Sequence, residues 1–466
     1  MSEGRITTTG LRPMYGRDVV YTDAKVITAE NVIEQMNQAV GAYAKNSSDI
    51  EYLYQYYKGQ QPITYKEVQS RPEINNIIVE NRANEIVSFK TGYLMGEPVQ
   101  YVAHCEADVV GDDINRLNEY MFAQDKAAKD KELADWFHIC GTSYRLVLPN
   151  PGGESPFNIF TLDPRNTLVV YSSDITHEPV MGITYSTPVL DAPRYSVYTR
   201  DRYYEIVDNV IVRNEPHIMG YIPIIEYPAN MARLGAFEIV LGLLDALNDT
   251  ASKRQDGLDK FVDALLLFHN VQLEEGEYEE FLRKGAIKFR DVDTQTKAEI
   301  KYIVNELNQG QTETLVQHQY QTILDICGMP NRNGGSSTSD TGKAVLLRDG
   351  WSNAEARAKD TELMFKRSEK RFLELVLRIC GIYDKLSLRL GNIEIRFTRR
   401  NYENILEKSQ VLTTMLQQPQ IHPLLAFEHC GMFSDPGVAY EMSKEYYAEE
   451  EREDEGEDSA GNSLSV

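Results

Sequence analysis

The stretch that decides the fold is KAVLLRDGWSNAEARAKDTELMFKRSEKRFLELVLRICGIYDKL, residues Lys343–Leu386. It contains no proline, and its apolar residues recur at the three-to-four spacing of an amphipathic helix. These apolar residues are Val345, Leu346, Trp351, Ala354, Ala358, Leu363, Phe365, Phe372, Leu375, Val376 and Ile379. A helix of roughly 40 residues is about 60 Å long, which is unusual for one globular core. Helices of this length commonly pack beside copies of themselves, so we expect a symmetric oligomer.

A second proline-free run extends from Gly235 to Phe268, and its leucines and phenylalanines also repeat at helical spacing. It predicts a rod of about 50 Å. A short α/β segment follows, with a candidate helix at Glu274–Arg283 and candidate strands at Ala286–Arg290 and Ile300–Val304. A further helix is predicted from Thr312 to Cys327. The order of these segments indicates a small module held between two helices.

The first half of the chain combines helices with short strands. Helical patterns cover Asn31–Tyr57, Ile74–Leu94 and Asp112–His138. The runs that follow are β-rich, punctuated by Pro and Gly, and lie at Tyr144–Leu148, Thr167–Tyr171, Met181–Thr184, Ser196–Thr199 and Val210–Arg213. Near the C-terminus, a strand at Ile393–Phe397 precedes two or three short helices between Tyr402 and Tyr447. The predicted fold class is therefore α+β and rich in helix.

Composition limits the kind of protein. With 466 residues, 42% hydrophobic and 26% charged, the chain is typical of globular proteins with more than one core. No apolar run of membrane-spanning length occurs, and the first residues lack the apolar core of a secretory signal, so we expect a soluble, non-secreted protein. The formal net charge of −23 argues against tight binding of nucleic acid, because affinity for phosphates comes from Lys and Arg.

The five cysteines are widely spaced and form no CxxC pair, so we expect buried thiols in a reducing compartment. They are Cys105, Cys140, Cys327, Cys380 and Cys430.

Motifs for catalysis are missing from the sequence. The polar stretch Gly334–Lys343 has the look of a phosphate-binding loop, but Ser337 stands where that loop needs glycine and Ala344 where it needs a hydroxyl. The eight histidines are scattered, with no HExxH or GxSxG pattern. We therefore expect no catalytic residues, no cofactor and no metal site.

The predicted long helix is rich in cations although the chain is acidic overall. They are Lys343, Arg348, Arg357, Lys359, Lys366, Arg367, Lys370, Arg371 and Arg378. One interpretation is ion pairing at the surface or between subunits, and the other is contact with DNA phosphates. The sequence leaves both open.

Three segments together resemble the portal proteins of tailed double-stranded-DNA bacteriophages, specifically the siphophage type. Gly92–Val99 reads GYLMGEPV and is similar to a GYLxGxPV-like segment of that family. The run from Phe237 to Ala264 resembles its first stem helix, and Ser336–Arg348 resembles its channel loop entering the long helix. The resemblance covers roughly residues 30–440 and rests more on the order of the parts than on any one motif.

The resemblance implies a ring, usually of twelve subunits, around a DNA channel at one capsid vertex, assembled in the host bacterial cytoplasm. The implied regions are an N-terminal arm (1–30), wing (31–234), first stem helix (235–268), clip (269–308), second stem helix (309–327), channel loop (328–342), long wing helix (343–390), crown (391–448) and a disordered acidic tail (449–466). Implied partners are double-stranded DNA without sequence preference, the terminase large subunit, a head-completion adaptor, and the major capsid and scaffolding proteins, with no membrane.

The resemblance also assigns candidate contact residues. The channel loop would present Asn331, Arg332, Asn333, Ser336, Ser337, Thr338, Ser339 and Lys343 to DNA. Possible DNA or intersubunit cations are Arg348, Lys366, Arg367, Lys370 and Arg371. The clip would dock partners through Glu274, Glu275, Glu277, Arg283 and Lys284. Since the loop carries few cations, steric gripping is favoured over strong phosphate binding.

Two other classes stay open at this point. An adaptor or scaffolding protein of a phage is a second interpretation, although adaptors are usually far shorter and scaffolds lack a β-rich region such as 143–227. A metal-dependent nuclease or nucleotide hydrolase is a third, and an activity assay with divalent metal would identify it.

Overall fold

The structure is a computed structural model that describes residues 16–67, 72–104, 108–186, 192–262, 265–269, 271–272, 290–291, 299–303, 309–330, 350–399, 405–433 and 436–447. These residues divide into two compact units. The smaller unit contains the described parts of Gln55–Asn84 and Val240–Cys327. The larger unit contains those of Met14–Tyr54, Glu85–Ile239 and Gly328–Val466.

Helices and strands are largely segregated along the chain, as in an α+β fold, with eight consecutive strands from Thr142 to Pro228. The helices are α1 (Val32–Tyr57), α2 (Arg82–Leu94), α3 (Asp108–Ala123), α4 (Lys126–Cys140), α5 (Leu241–Val262), α6 (Gln309–Cys327), α7 (Trp351–Tyr383), α8 (Ile405–Leu416), α9 (Pro423–Cys430) and α10 (residues 436–447). The strands are β1 (Val20–Thr22), β2 (Gln100–Ala103), β3 (Thr142–Pro149), β4 (Phe157–Leu162), β5 (Thr167–Ser172), β6 (Pro179–Ser186), β7 (Arg194–Tyr198), β8 (Arg202–Val207), β9 (Val210–Pro216), β10 (Ile224–Pro228), β11 (Leu265–His269), β12 (Val271–Gln272), β13 (Arg290–Asp291), β14 (Glu299–Ile303) and β15 (Ile393–Arg396).

The larger unit is built on two main sheets. A six-stranded sheet has the order β1-β5-β6-β7-β8-β9, in which β1 runs parallel to β5 and the remaining pairs are antiparallel. A three-stranded antiparallel sheet has the order β10-β3-β4. Gly182 allows the two sheets to approach, because a Cβ at that position would lie 2.9 Å from the Cβ of Ile224.

The long helix α7 lies against the three-stranded sheet of this unit. Its buried residues follow the predicted helical spacing and join one apolar core with residues of α3, α4 and β10. The helix begins after Gly350, whose φ of +80° favours glycine, and ends at Tyr383. The predicted extent of 343–386 is therefore too long at its C-terminal end, while residues 343–349 lie outside the described part of the chain. Leu386 is buried in the same core, but it follows the end of the helix.

Three other predicted helices need correction. The run 235–268 contains a helix only at α5, because Leu265–His269 forms β11 and pairs antiparallel with β14. A short apolar run of this kind fits a strand as well as a helix, so only its partner decides. The predicted helix 112–138 is two helices, α3 and α4, separated at Asp125, where φ is +50°. The helix predicted from Ile74 begins at Arg82 instead.

The remaining predicted elements are confirmed, with small changes at their ends. They are the helix at Asn31–Tyr57, the five β-rich runs between residues 144 and 213, the strand at Ile300–Val304, the helix at Thr312–Cys327, the strand at Ile393–Phe397 and the short helices after Tyr402. The candidate helix Glu274–Arg283 and nearly all of the candidate strand Ala286–Arg290 lie outside the described residues, as does the tail 449–466. Cys140, Cys327, Cys380 and Cys430 are buried and not joined in disulfides, as predicted, and Cys105 lies outside the described residues.

Candidate DNA and subunit contact surfaces

The long helix α7 is fixed in the larger unit by a buried cluster of charges. Glu369, near its middle, accepts hydrogen bonds from Lys126 (2.9 Å) and from Arg145 (3.3 Å). Asp130 pairs with the same two cations, at 2.5 Å from the Nζ of Lys126. All four side chains are at most 4% exposed. Since two cations face two carboxylates, the cluster is neutral and its burial is tolerated.

Two tyrosines complete this cluster. Tyr101 and Tyr227 both donate their hydroxyls to Glu369, the latter at 2.7 Å. Burial raises the pKa of both tyrosines well above its ordinary value, so they stay protonated donors. Burial also opposes ionisation of Glu369, but the charges of Lys126 and Arg145 outweigh it and hold the pKa of that carboxyl below its usual range. The carboxylate thus links α7 to α4 and to three strands of the larger unit.

Some of the predicted cations of α7 belong to this unit's own ion pairs. Lys366 pairs with Glu362 at 2.7 Å and lies over the ring of Phe397. Arg399 reaches the same Glu362 at 2.7 Å and Glu355 at 3.1 Å. Lys366 therefore has an ion-pair partner within its own subunit, and its contact with DNA or with a neighbouring subunit stays a prediction.

In the described ranges, three other cations of α7 lack the internal ion pair that Lys366 has, and they are Arg367, Lys370 and Arg371. Arg367 and Lys370 are exposed, and Arg371 is partly exposed. Within the part of the chain that the structure describes, none of these three side chains forms an ion pair or a hydrogen bond. They are thus the members of the predicted set that a partner could engage, while Arg348 lies outside the described residues.

In the smaller unit, a polar ladder fixes an extended segment to α5. The backbone amides of Asn76, Ile78 and Glu80 donate to side chains of α5. Their acceptors are Asp256 (2.7 Å), Ser252 (3.0 Å) and Asn248 (2.9 Å), in that order. The acceptors are four residues apart on α5, a rise of about 6 Å, and the donors are two residues apart, a rise of about 6.6 Å. The two spacings match, so each hydrogen bond forms one rung of the ladder. This ladder is why residues 74–81 are extended rather than helical.

Asp256 also anchors the loop that precedes this segment. Its second carboxylate oxygen accepts from the Nζ of Lys66 at 2.6 Å. Burial raises the pKa of Asp256, but the hydrogen bonds from Lys66 and Asn76 outweigh that effect and leave the pKa below its ordinary value. Nearby in the same unit, Tyr56 donates its hydroxyl to Asp245 at 2.8 Å. The polar face of α5 is therefore occupied by its own chain.

Metal-binding side chains are not clustered in the part of the chain that the structure describes. No cluster of three or more His, Cys, Asp or Glu residues with metal-binding geometry occurs among the described residues. The buried His138 shares a hydrogen bond with the hydroxyl of Thr91, and burial lowers its pKa to about 3, so it is a neutral structural residue. Within the same residues, no helix has both the length and the apolar character needed to cross a membrane.

The other two predicted contact sets fall outside the described residues. For the channel loop these are Asn331, Arg332, Asn333, Ser336, Ser337, Thr338, Ser339 and Lys343. For the clip they are Glu274, Glu275, Glu277, Arg283 and Lys284. Their flanking elements are described: α6 ends at Cys327 before the loop, and β11 and β14 bracket the clip segment.

Comparison with known families identifies the relatives of the chain. Residues 40–456 match the family described as phage portal protein, SPP1 Gp6-like. The chain belongs to this portal protein family. The match includes both described units and the three segments from which the resemblance was drawn, so the interpretation as a phage portal protein is confirmed. No curated protein matches the chain.

As a member of the portal family, the protein forms the passage for double-stranded DNA at a vertex of the phage head. The family is structural, it forms ring oligomers, and it interacts with the capsid and the terminase. The α+β class predicted from the sequence agrees with the mixed helices and sheets of the fold. The match gives no support to the adaptor, scaffold or enzyme interpretations.

The buried charges that anchor α7 were missed in the sequence. Glu369 lies at i+4 from Phe365 and three residues before Phe372, in the middle of the apolar stripe of α7. Arg145 lies likewise inside the apolar run of β3. A charge on a face that is otherwise apolar is the signal that could have identified them, because such a charge needs a buried partner.

Proposed function

We propose that about twelve copies of this portal protein form a closed ring, with a channel through which DNA is packaged and ejected. The observation that carries the proposal is the family match over residues 40–456. In this arrangement the smaller unit supplies the stem through α5 and α6, which pack on each other. The larger unit, with α7, supplies the wing, and residues 391–448 form the crown.

We propose further that the loop 328–342 surrounds the DNA in the channel. It is polar, rich in Gly, Ser and Thr, and joins α6 to the segment that leads into α7. The net charge of −23 supports weak contact, because an acidic wall with few cations lets a duplex move without a deep electrostatic minimum. The loop would therefore grip DNA by fit rather than by charge.

The clip, residues 269–308, is the proposed docking surface for the terminase large subunit and later for the head-completion adaptor. The strand pair β11–β14 supports it, because it places a small module between the two helices α5 and α6 along the chain. Major capsid and scaffolding proteins would contact other faces of the ring. The adaptor, scaffold and enzyme alternatives receive no support from any particular residue of the described structure.

The ring is tested first by mass photometry of the purified full chain at moderate salt. Particles of about twelve subunit masses, with a central hole in negative-stain images, are the expected result. A stable monomer or dimer at every salt concentration would contradict the ring.

The loop and the clip are tested separately in that ring. Deleting Ser336–Asp340 should leave the ring mass unchanged and impair DNA packaging or retention, and normal packaging would remove the gripping role. Reversing the charges of Glu274, Glu275 and Glu277 should weaken binding of the motor or adaptor. Unchanged binding would place the docking surface elsewhere.

A further inference from the structure

A recessed pocket of about 260 Å³ lies beside α7 in the larger unit. One wall is a single face of the helix, because Met364, Arg367, Ser368 and Arg371 follow the i, i+3, i+4, i+7 spacing. The opposite wall comes from β10 and the loop after it, and includes Glu226 and Arg233. The rest of the lining is Val19, Tyr21, Tyr171, His177, Pro228, Asn230 and Met231.

The pocket is positively charged although the chain is strongly acidic. Arg233 and Glu226 neutralise each other through two hydrogen bonds, at 2.6 and 2.9 Å. Among the described residues, nothing neutralises Arg367 or Arg371. The lining therefore carries two uncompensated guanidinium charges in a protein whose net charge is −23.

Ser368 adds a polar side chain to the same pocket. Ser368 is 6% exposed, lines the pocket, and forms no hydrogen bond with the described residues. The hydroxyl can therefore contribute a hydrogen bond to a ligand that enters the pocket. Arg367 and Arg371 flank it on the same helix, so all three groups could bind one anion.

The far wall of the pocket is tied by several contacts to the segment that begins at Gly16. The amide of Arg17 donates to the carbonyl of Ala232 at 3.2 Å, and its guanidinium pairs with the buried Glu238 at 2.6 Å. Gly16 has a φ of +83°, and a Cβ there would lie 1.8 Å from the oxygen of Ala232. A wall fixed in this way lowers the entropic cost of binding.

From these observations we infer that the pocket binds an acidic side chain of a second copy of this chain. A carboxylate matches the planar guanidinium groups of arginine, which bind it through paired hydrogen bonds. A duplex presents its phosphates on a broad convex surface, which fits a concave pocket less well than a single side chain does. The abundant anions that could enter are therefore carboxylates.

Charge complementarity selects a second copy as the source of that carboxylate. This step rests on the proposed ring, in which one face of each subunit meets a different face of the next. The positive pocket lies on one face of the subunit. Because the chain has a net charge of −23, the face of the next subunit that meets it can supply the opposite charge. Complementary charges of this kind fix the orientation of the subunits as well as their affinity.

The experiment is the double variant Arg367→Glu/Arg371→Glu in the full chain, compared with Lys370→Glu. Lys370 is an exposed cation on the same helix that does not line the pocket. Mass photometry over a range of salt concentrations measures the midpoint at which rings dissociate. We expect the double variant to lower that midpoint by at least about twofold, since repulsion replaces an ion pair at every interface. Lys370→Glu should leave it unchanged.

Further measurements separate the possible outcomes. The neutral variant Arg367→Gln/Arg371→Gln should weaken rings in the same direction while its circular dichroism matches that of the unchanged protein. A photo-crosslinking amino acid at position 367 should yield a covalent dimer joined at an acidic residue of the adjacent copy. Charge reversal of that acidic residue should restore rings of the double Glu variant.

Several results would contradict the inference that the pocket binds an acidic side chain of a second copy. Rings of unchanged salt stability, an equal loss with Lys370→Glu, or a crosslink only within one subunit would overturn the inference. Lost retention of duplex DNA with unchanged ring stability would also overturn it, and would assign the pocket to DNA. Failure of the unchanged protein to form rings would instead count against the proposed function.

Discussion

The helices α5 and α7 are anchored by polar groups in different ways. Glu369 of α7 holds its unit through a compact cluster of full charges that is almost completely buried. Asn248, Ser252 and Asp256 of α5 form a row of separate rungs to an extended segment. A buried charge cluster fails as a whole when one member is lost, whereas a ladder loses one rung at a time. The comparison predicts unequal responses to equally small substitutions.

The largest effect is expected for Glu369→Gln. The substitution keeps the shape of the side chain but leaves Lys126 and Arg145 with only Asp130 to balance their two charges. Breaking a buried pair in this way costs about 3–5 kcal/mol of unfolding free energy. Urea unfolding at fixed protein concentration measures it, with Glu374→Gln on the same helix as the control. A loss below about 1 kcal/mol would show that the cluster is no more important than surface pairs.

Acid should remove the same stabilisation from the unchanged protein. The folded-state pKa of Glu369 is depressed, so the unfolded state binds more protons once the pH drops below about 5. The contribution of this carboxylate is complete above its unfolded pKa and is lost as the pH falls through the folded pKa. Unfolding free energies between pH 6 and 2 should therefore fall more steeply for the unchanged protein than for Glu369→Gln. Parallel curves would contradict the depressed pKa.

A smaller effect is expected for Asp256→Asn in the ladder. Asp256 accepts from Lys66 and from the backbone and side chain of Asn76, and the substitution removes its charge. Hydrogen bonds to charged groups contribute about 1.5–3 kcal/mol, so the loss should fall in that range. The control is Asp249→Asn, which removes an exposed i, i+4 pair with Lys253 on the same helix. Equal losses of unfolding free energy in the two variants would show that Asp256 stabilises the unit no more than an exposed ion pair does.

The smallest effect is expected for Ser252→Ala, which removes one neutral rung. The amide of Ile78 loses its acceptor, at a cost of about 1 kcal/mol. Hydrogen exchange should accelerate at Ile78 and change little at Asn76, because the rungs are separate. Thr250→Ala is the matched control, since that hydroxyl bonds within the helix to Ala246. Faster exchange along the whole segment 76–80 would mean that the ladder is cooperative, like the charge cluster.

Sequence by itself determined the elements whose signal is local. The helical spacing of apolar residues located α1, α6 and the body of α7, and short β-rich runs located β3, β5 and β6. Helix and strand periodicity depends on residues close in sequence, so these elements can be predicted without knowing any distant contact. The order of the segments, with the motif at Gly92–Val99, was also enough to indicate the portal family.

Only the tertiary structure decided what depends on distant partners. Residues 74–81 carry helical spacing, yet Asn248, Ser252 and Asp256 hold them extended. Leu265–His269 became a strand because β14 pairs with it. The cations of α7 look alike in sequence, but folding gave Lys366 an internal partner and left Arg367 and Arg371 lining a pocket. The reason is physical: burial and pairing are properties of neighbours in space, and a one-dimensional pattern does not contain them.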